Sequence, residues 1–154
     1  MPYLVVFLIS MVPLIELRGA IPYGLAIGLD PFLTYALAIL GNCIPVPFIL
    51  FFIKKILAAM QASRVRFFQR VATFVVERGQ RGFKKVQKYA VFGLYLFVAV
   101  PLPGTGAWTG ALIAALLDMK KRYAFPSIFL GVVTAGVVMS LITGGVLAGL
   151  EFLL

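Results

Sequence analysis

The chain has 154 residues, 62% hydrophobic and 12% charged, whereas a soluble domain is nearer half apolar and a quarter charged. A mean hydropathy of +1.07 therefore excludes a soluble globular protein and indicates an integral membrane one, read as a single membrane domain over 1–154. With no histidine, one cysteine (Cys43) and five acids spread along the chain, neither an intramolecular disulfide nor a metal or other cofactor is expected.

The apolar N-terminal run has no basic n-region and continues into Glu16 and Arg18, so a cleaved signal peptide is not expected. It is broken at Pro13-Leu14-Ile15-Glu16-Leu17-Arg18-Gly19-Ala20-Ile21-Pro22. The arms on either side, 3–15 and 19–29, are too short to span a hydrocarbon core of ~30 Å. A hairpin that turns back at mid-depth is the expected form. Residues 31–53 hold no charge and are long enough to cross, with Asn42, Pro45 and Pro47 making that helix irregular.

Residues 56–78 read as one amphipathic helix. Ile56, Met60, Phe67, Val71, Phe74 and Val75 form its apolar stripe, Arg64, Arg66, Arg70 and Arg78 surround it, and Gly79 and Gly82 end it. Ten of the 14 basic residues fall between Lys54 and Lys88, and Lys120, Lys121 and Arg122 follow later. Basic residues beside membrane segments stay in the cytoplasm. The segment 54–88 is therefore expected to lie on the cytoplasmic leaflet against anionic headgroups. Because these residues flank membrane segments, the net charge of +9 points to lipid rather than to nucleic acid.

Residues 89–117 are uncharged and lie between the two basic clusters. A single crossing would place the clusters on opposite faces, whereas a hairpin keeps both inside. Its arms, 89–100 and 107–117, reach only ~15–18 Å each at ~1.5 Å per residue. Pro101, Pro103, Gly104 and Gly106 supply the turn. Residues 123–150 form the second crossing.

The halves, about 1–53 and about 89–154, align. Val12-Pro13-Leu14 falls on Val100-Pro101-Leu102 and Leu29-Asp30 on Leu117-Asp118, both 88 positions apart; Leu40-Gly41 falls on Leu130-Gly131, 90 apart. The difference implies a two-residue insertion around Lys120 and Lys121. The expected fold is all-α, with two inverted repeats of re-entrant hairpin plus transmembrane helix and a basic amphipathic helix between them. Gly24/Gly28, Gly106/Gly110, Gly145/Gly149 and Gly136/Ser140 are pairs that permit close helix packing. So few helices also suit a homodimer.

The candidate site is at the hairpin tips. Glu16 and Arg18 are the ionisable side chains within the apolar segments away from their ends. In an extended tip, positions i and i+2 point the same way, so the two can pair. Charges at that depth face a cavity or each other. Glu16 is a candidate proton carrier and Arg18 a candidate anion holder; the alternative is a clasp that holds the hairpin shut. Thr105 can cap the arm starting near Gly106, whose free N–H groups favour an anion. Trp108 gates the cavity, lines it, or fills the hairpin interface. Asp30 and Asp118 are read as caps of the segments that follow them.

The tip segments Glu16-Leu17-Arg18-Gly19-Ala20-Ile21-Pro22 and Pro101-Leu102-Pro103-Gly104-Thr105-Gly106-Ala107-Trp108-Thr109-Gly110 resemble the two signature segments of the small multi-drug export protein family. More distantly the chain is similar to the DedA/VTT membrane proteins. The resemblance implies a multi-pass protein of a prokaryotic inner membrane, a transporter rather than an enzyme. Its substrate would meet Glu16, Arg18, Gly19, Pro22, Pro101, Pro103, Gly104, Thr105, Gly106, Trp108, Thr109 and Gly110, with Asp30, Asn42 and Asp118 secondary. DedA proteins carry an acidic residue after a Pro-Gly in one hairpin, where this chain has Thr105, leaving Glu16 as the carboxylate for proton coupling. Three classes remain open: an alternating-access exporter of a small or amphipathic substrate, a lipid flippase or scramblase handling phosphate headgroups, and a non-transporting scaffold.

Overall fold

The computed structural model describes residues 1–81, 89–102 and 104–153. Pro103, Gly82 and the basic residues from Lys84 to Lys88 lie outside them. The described residues form eight α-helices: α1 (Pro2–Met11), α2 (Glu16–Ala26), α3 (Pro31–Cys43), α4 (Pro45–Ala62), α5 (Arg66–Arg81), α6 (Ala90–Ala99), α7 (Ala107–Leu116) and α8 (Lys121–Leu153). Two stretches, Pro31–Ala62 across α3 and α4 and Lys121–Gly149 in α8, are long and apolar enough to cross a membrane. Phe32, Phe48, Phe92 and Leu141 on these and neighbouring helices are exposed, an apolar surface that water would not tolerate at this extent.

α1 and α2 form a helical hairpin. Its open end is closed by Tyr3, whose hydroxyl accepts the Asp30 N–H at 3.3 Å. α6 and α7 form a second hairpin, with Ala90 and Val91 beside Leu117, Asp118 and Lys120 at its open end. At that end Lys54 of α4 pairs with Asp118, and the Lys121 ammonium sits 3.7 Å from the Phe51 ring centre. Pro31 and Lys54 are separated by ~35 Å of helix at ~1.5 Å per residue. The two open ends therefore lie at opposite ends of the molecule.

The long helices hold the hairpins through close backbone contact. A Cβ on Gly41 of α3 would run into Ser10 Oγ and the Phe7 carbonyl of α1, and one on Gly131 of α8 would meet Val98 and the Tyr95 carbonyl of α6. Hydroxyls complete the docking: Tyr35 donates to the Val133 carbonyl at 3.1 Å, Tyr95 donates to the Thr134 hydroxyl at 3.1 Å, whose own proton goes to the Leu130 carbonyl, and Ser127 donates to the Val91 carbonyl at 2.6 Å. Leu17, Ile21, Val46, Val98, Ile128 and Val132 form the center of the core.

Four local expectations change. Residues 56–78 are not one helix. α4 runs on to Ala62, Ser63 is extended, and α5 starts at Arg66. Ser63 Oγ accepts the Val65 N–H at 3.2 Å and its carbonyl accepts from Gln69 at 2.6 Å, a local alternative to helical hydrogen bonding. Gly79 does not end α5, which continues to Arg81. Ile56 and Met60 thus belong to α4, and Phe67, Val71 and Phe74 to α5.

Third, Asp30 and Asp118 are not equivalent. Asp30 caps α3, accepting the Leu33 N–H at 2.8 Å. Asp118 instead closes the helix before it. Its φ is +54, its N–H goes to the Ala115 carbonyl at 3.3 Å, and that of Met119 goes to Ala114 at 3.0 Å. Gly28 does the same for α2, with φ +75 and the bonds Gly28 to Leu25 and Leu29 to Gly24, both 3.0 Å. Both are Schellman closures. Fourth, Gly28 and Asp118 are 90 positions apart, as are Gly41 and Gly131. The two-residue difference therefore falls in the second tip, not around Lys120 and Lys121.

Candidate functional site

The tips of the two hairpins meet. In the first, Val12 leaves the helix in an extended conformation, and Leu14 and Glu16 both have positive φ, +76 and +50. Left-handed backbone costs a non-glycine residue about 1–2 kcal/mol. This double departure aims the Glu16 side chain inward, where it is 3% exposed. Glu16 is the first residue of α2, not part of an extended tip. It still pairs with Arg18, Nη1 to Oε2 at 3.6 Å, because one side chain leans back from the first turn toward the other.

Across the interface, α7 begins at Ala107, and its N-cap, Gly106, offers no side-chain cap. The Glu16 carboxylate takes that place. Its Oε1 accepts the Trp108 backbone N–H at 3.2 Å, and it packs so closely on Gly106 that a Cβ there would overlap it. A carboxylate from one hairpin thus satisfies an orphan donor at the N-terminus of a helix in the other, where the helix dipole favors negative charge. The indole N–H of Trp108 donates to the Met11 carbonyl at 3.1 Å, tying the end of α1 to the start of α7.

Thr105 does not cap α7. Its hydroxyl accepts from Arg18 Nη2 at 3.0 Å and from the Leu102 N–H at 3.2 Å. Its own proton goes to the carbonyl of Val100 (2.7 Å) or Leu102 (2.8 Å). Thr105 therefore shapes the second tip and receives the guanidinium of the first. Asn42, near the end of α3, lines the same small space as Glu16, Arg18, Gly106 and Ala107, with Val98, Val132 and Ala135 as apolar walls. Asn42 is 1% exposed. Its amide lies beside Glu16 without a hydrogen bond of good geometry, and Arg18 Nε has no partner.

The expected site residues divide accordingly. Glu16, Arg18, Thr105, Gly106, Trp108 and Asn42 come together. Gly104 is in the second turn with φ +83 and open space around it. Pro101 is half-buried beside it. Gly19 faces the Ile15 side chain and Gly110 faces Val98, both as packing contacts. Pro22 and Thr109 are half-buried in α2 and α7, away from the cluster. Asp30 and Asp118 belong to the open ends. The Met11 carbonyl was not anticipated, since an acceptor on the main chain leaves no mark in the sequence. Among the described residues no group of histidine, cysteine or acidic side chains could hold a metal ion.

No curated protein and no solved structure matches the chain. The family model described as "Putative small multi-drug export protein" matches residues 16–138, a stretch that holds Glu16 and Arg18 of the first tip, the second tip, α3 and the first half of α8. The protein is a membrane protein and belongs to the family of small multi-drug export proteins.

Proposed function

We propose that the protein is an exporter of the prokaryotic inner membrane that works by alternating access at two facing re-entrant hairpin tips. Its halves are inverted repeats, each a re-entrant hairpin and a crossing helix, and the basic residues of α4, α5 and the start of α8 face the cytoplasm. The observation that carries the reading is the link between tips: Arg18 to Thr105 and Glu16 to Trp108. These bonds are the natural gate, because they must break for the tips to part. Protonation of Glu16 removes its charge, weakens its hold on Arg18 and on the α7 N-terminus, and so couples a proton to opening. Short helices on each side of the tips leave little protein between the gate and either end, which suits alternating access.

A second reading, lipid translocation, is favored by an apolar groove of about 580 Å³ between α6 and α8, lined by Phe92, Tyr95, Pro126 and Leu130 with Arg122 at its mouth. Such a groove fits an acyl chain beneath an anionic headgroup. The two readings are separated in proteoliposomes under an imposed pH gradient. The exporter reading expects gradient-driven movement of an amphipathic dye from a panel that includes 8-anilinonaphthalene-1-sulfonate and ethidium. Movement of labelled phospholipid between leaflets, with no dye flux, would favor the second reading over the first.

A further inference from the structure

We propose that the Glu16 carboxylate is a resident stand-in for the oxyanion head of an amphipathic monoanion, which takes its place on Arg18 and the α7 N-terminus. The inference rests on the transport reading above and names its substrate class.

Donors at the tip interface exceed what Glu16 uses. Glu16 accepts from Trp108 N–H, lies 3.6 Å from Arg18 Nη1, and has the Ala107 N–H and the Asn42 side chain near enough to act on its charge. Arg18 Nε has no partner, and the Asn42 amide, though beside the carboxylate, makes no hydrogen bond of good geometry in the same closed space. Buried donors are rarely left unmade. A carboxylate tethered to α2 reaches only part of the set, whereas a free head with two or three oxygens can satisfy the guanidinium fork, the helix N-terminus and the amide together. The space among these groups admits no water molecule, so a ligand displaces Glu16 and does not sit beside it.

Charge fixes the condition for the exchange. Arg18 is the charged group that faces Glu16. The neighboring helices contribute Asn42 from α3, Val98 from α6, Gly106 and Ala107 at the start of α7, and Val132 and Ala135 from α8, none of which titrates. One guanidinium and one helix terminus do not hold two anions in an apolar setting. The incoming anion binds when Glu16 takes up a proton and withdraws, so one proton enters for each anion bound and the cluster's net charge stays the same. The left-handed backbone at Leu14 and Glu16 gives the tip a strained state from which to withdraw. Outside the cluster, Leu14, Ile15, Val100 and Leu102 are exposed apolar residues on both tips, a rim that fits an alkyl tail.

Trp108 is the only tryptophan in the chain and reports on the site directly. Its emission is followed in phosphatidylcholine nanodiscs while octanesulfonate, methanesulfonate or octyltrimethylammonium is added, from about pH 8 to about pH 5. The sulfonate head stays ionised throughout, so any pH dependence belongs to the protein. Octanesulfonate is expected to shift the emission saturably and to bind more tightly as pH falls. Glu16→Gln, which keeps the shape without the charge, should bind it at least about tenfold more tightly at the high-pH end and lose the pH dependence. Glu16→Asp, too short to reach Trp108, should also bind more tightly than wild type while keeping a pH dependence, and stands in if the Gln variant does not fold. Arg18→Gln should abolish binding. A shift by octyltrimethylammonium that Glu16→Gln removes would overturn the proposal, as would pH-independent binding of octanesulfonate to the wild type. Equal binding of methanesulfonate would overturn the amphipathic assignment. Binding as described without flux of any dye would instead contradict the transport reading.

Discussion

Gly106 and Glu16 show how two residues far apart in sequence define one contact. Gly106 is required at the α7 N-cap because the space a side chain would fill already holds a carboxylate. Gly104, by contrast, is required for its positive φ alone. Gly106→Ala should therefore pry the tips apart, lowering the melting temperature and removing transport. Gly104→Ala should cost only the left-handed penalty of about 1–2 kcal/mol, and Gly149→Ala, which faces open space, should be silent. A melting series with an activity assay checks the order; equal tolerance at Gly106 and Gly149 would remove the close-packed tip. At this scale the sequence was half legible. Glu16 and Arg18 stand out because charge inside apolar segments is costly. Some of their contacts did not: Glu16 meets the main-chain N–H of Trp108, and the Trp108 indole meets the main-chain carbonyl of Met11, groups that every residue carries. Asp118 misled for a related reason. The shared Leu-Asp pair aligns it with Asp30, yet backbone geometry makes it the counterpart of Gly28.

Helix positions were legible from the absence of charge and from proline and glycine. α1, α2, α6 and α7 fall where the short apolar arms lie, and the break between α3 and α4 falls at Ile44, between Asn42 and Pro45. The division of the basic segment into the end of α4 and α5 was not legible, because a hydrophobic stripe continues through Ser63 and the break depends on side-chain bonds to the backbone there. How the helices dock was visible only as a surplus of glycine. The structure separates these glycines by what they touch. Gly41 meets a fixed carbonyl on α1, whereas Gly144 and Gly145 meet nothing within 4 Å among the described residues. Gly41→Ala should thus displace α1 and cost about 1–3 kcal/mol by overpacking. Gly144→Ala should be neutral or gain up to about 1 kcal/mol from helix propensity. Thermal unfolding in one detergent compares them; a Gly41→Ala protein as stable as wild type would contradict the docking of α1 on α3.

For the whole molecule, the pairing of Lys54 with Asp118 and the stacking of Lys121 on Phe51 put the start of α8 beside the middle of α4, at one end of the molecule; the proposed function makes that end the cytoplasmic one. In a Cys43→Ser background, single cysteines at Lys55 and Lys121 should both resist an impermeant thiol reagent in intact cells. Labelling at 121 but not at 55 would contradict that topology. On the proposed function, the tip pair carries transport and is not merely a clasp. Breaking a buried pair by removing one partner costs about 3–5 kcal/mol, so Arg18→Gln should lower the melting temperature, and Glu16→Gln with Arg18→Gln should recover much of the loss. The most direct test measures pH-gradient-driven dye flux in liposomes for wild type, Glu16→Gln and the double variant, beside their melting temperatures. Glu16→Gln is expected to fold but to lose gradient-driven flux, and the double variant to regain stability without regaining flux. Full gradient-driven flux in the double variant would contradict this and leave Glu16 and Arg18 as a structural fastening between the hairpins.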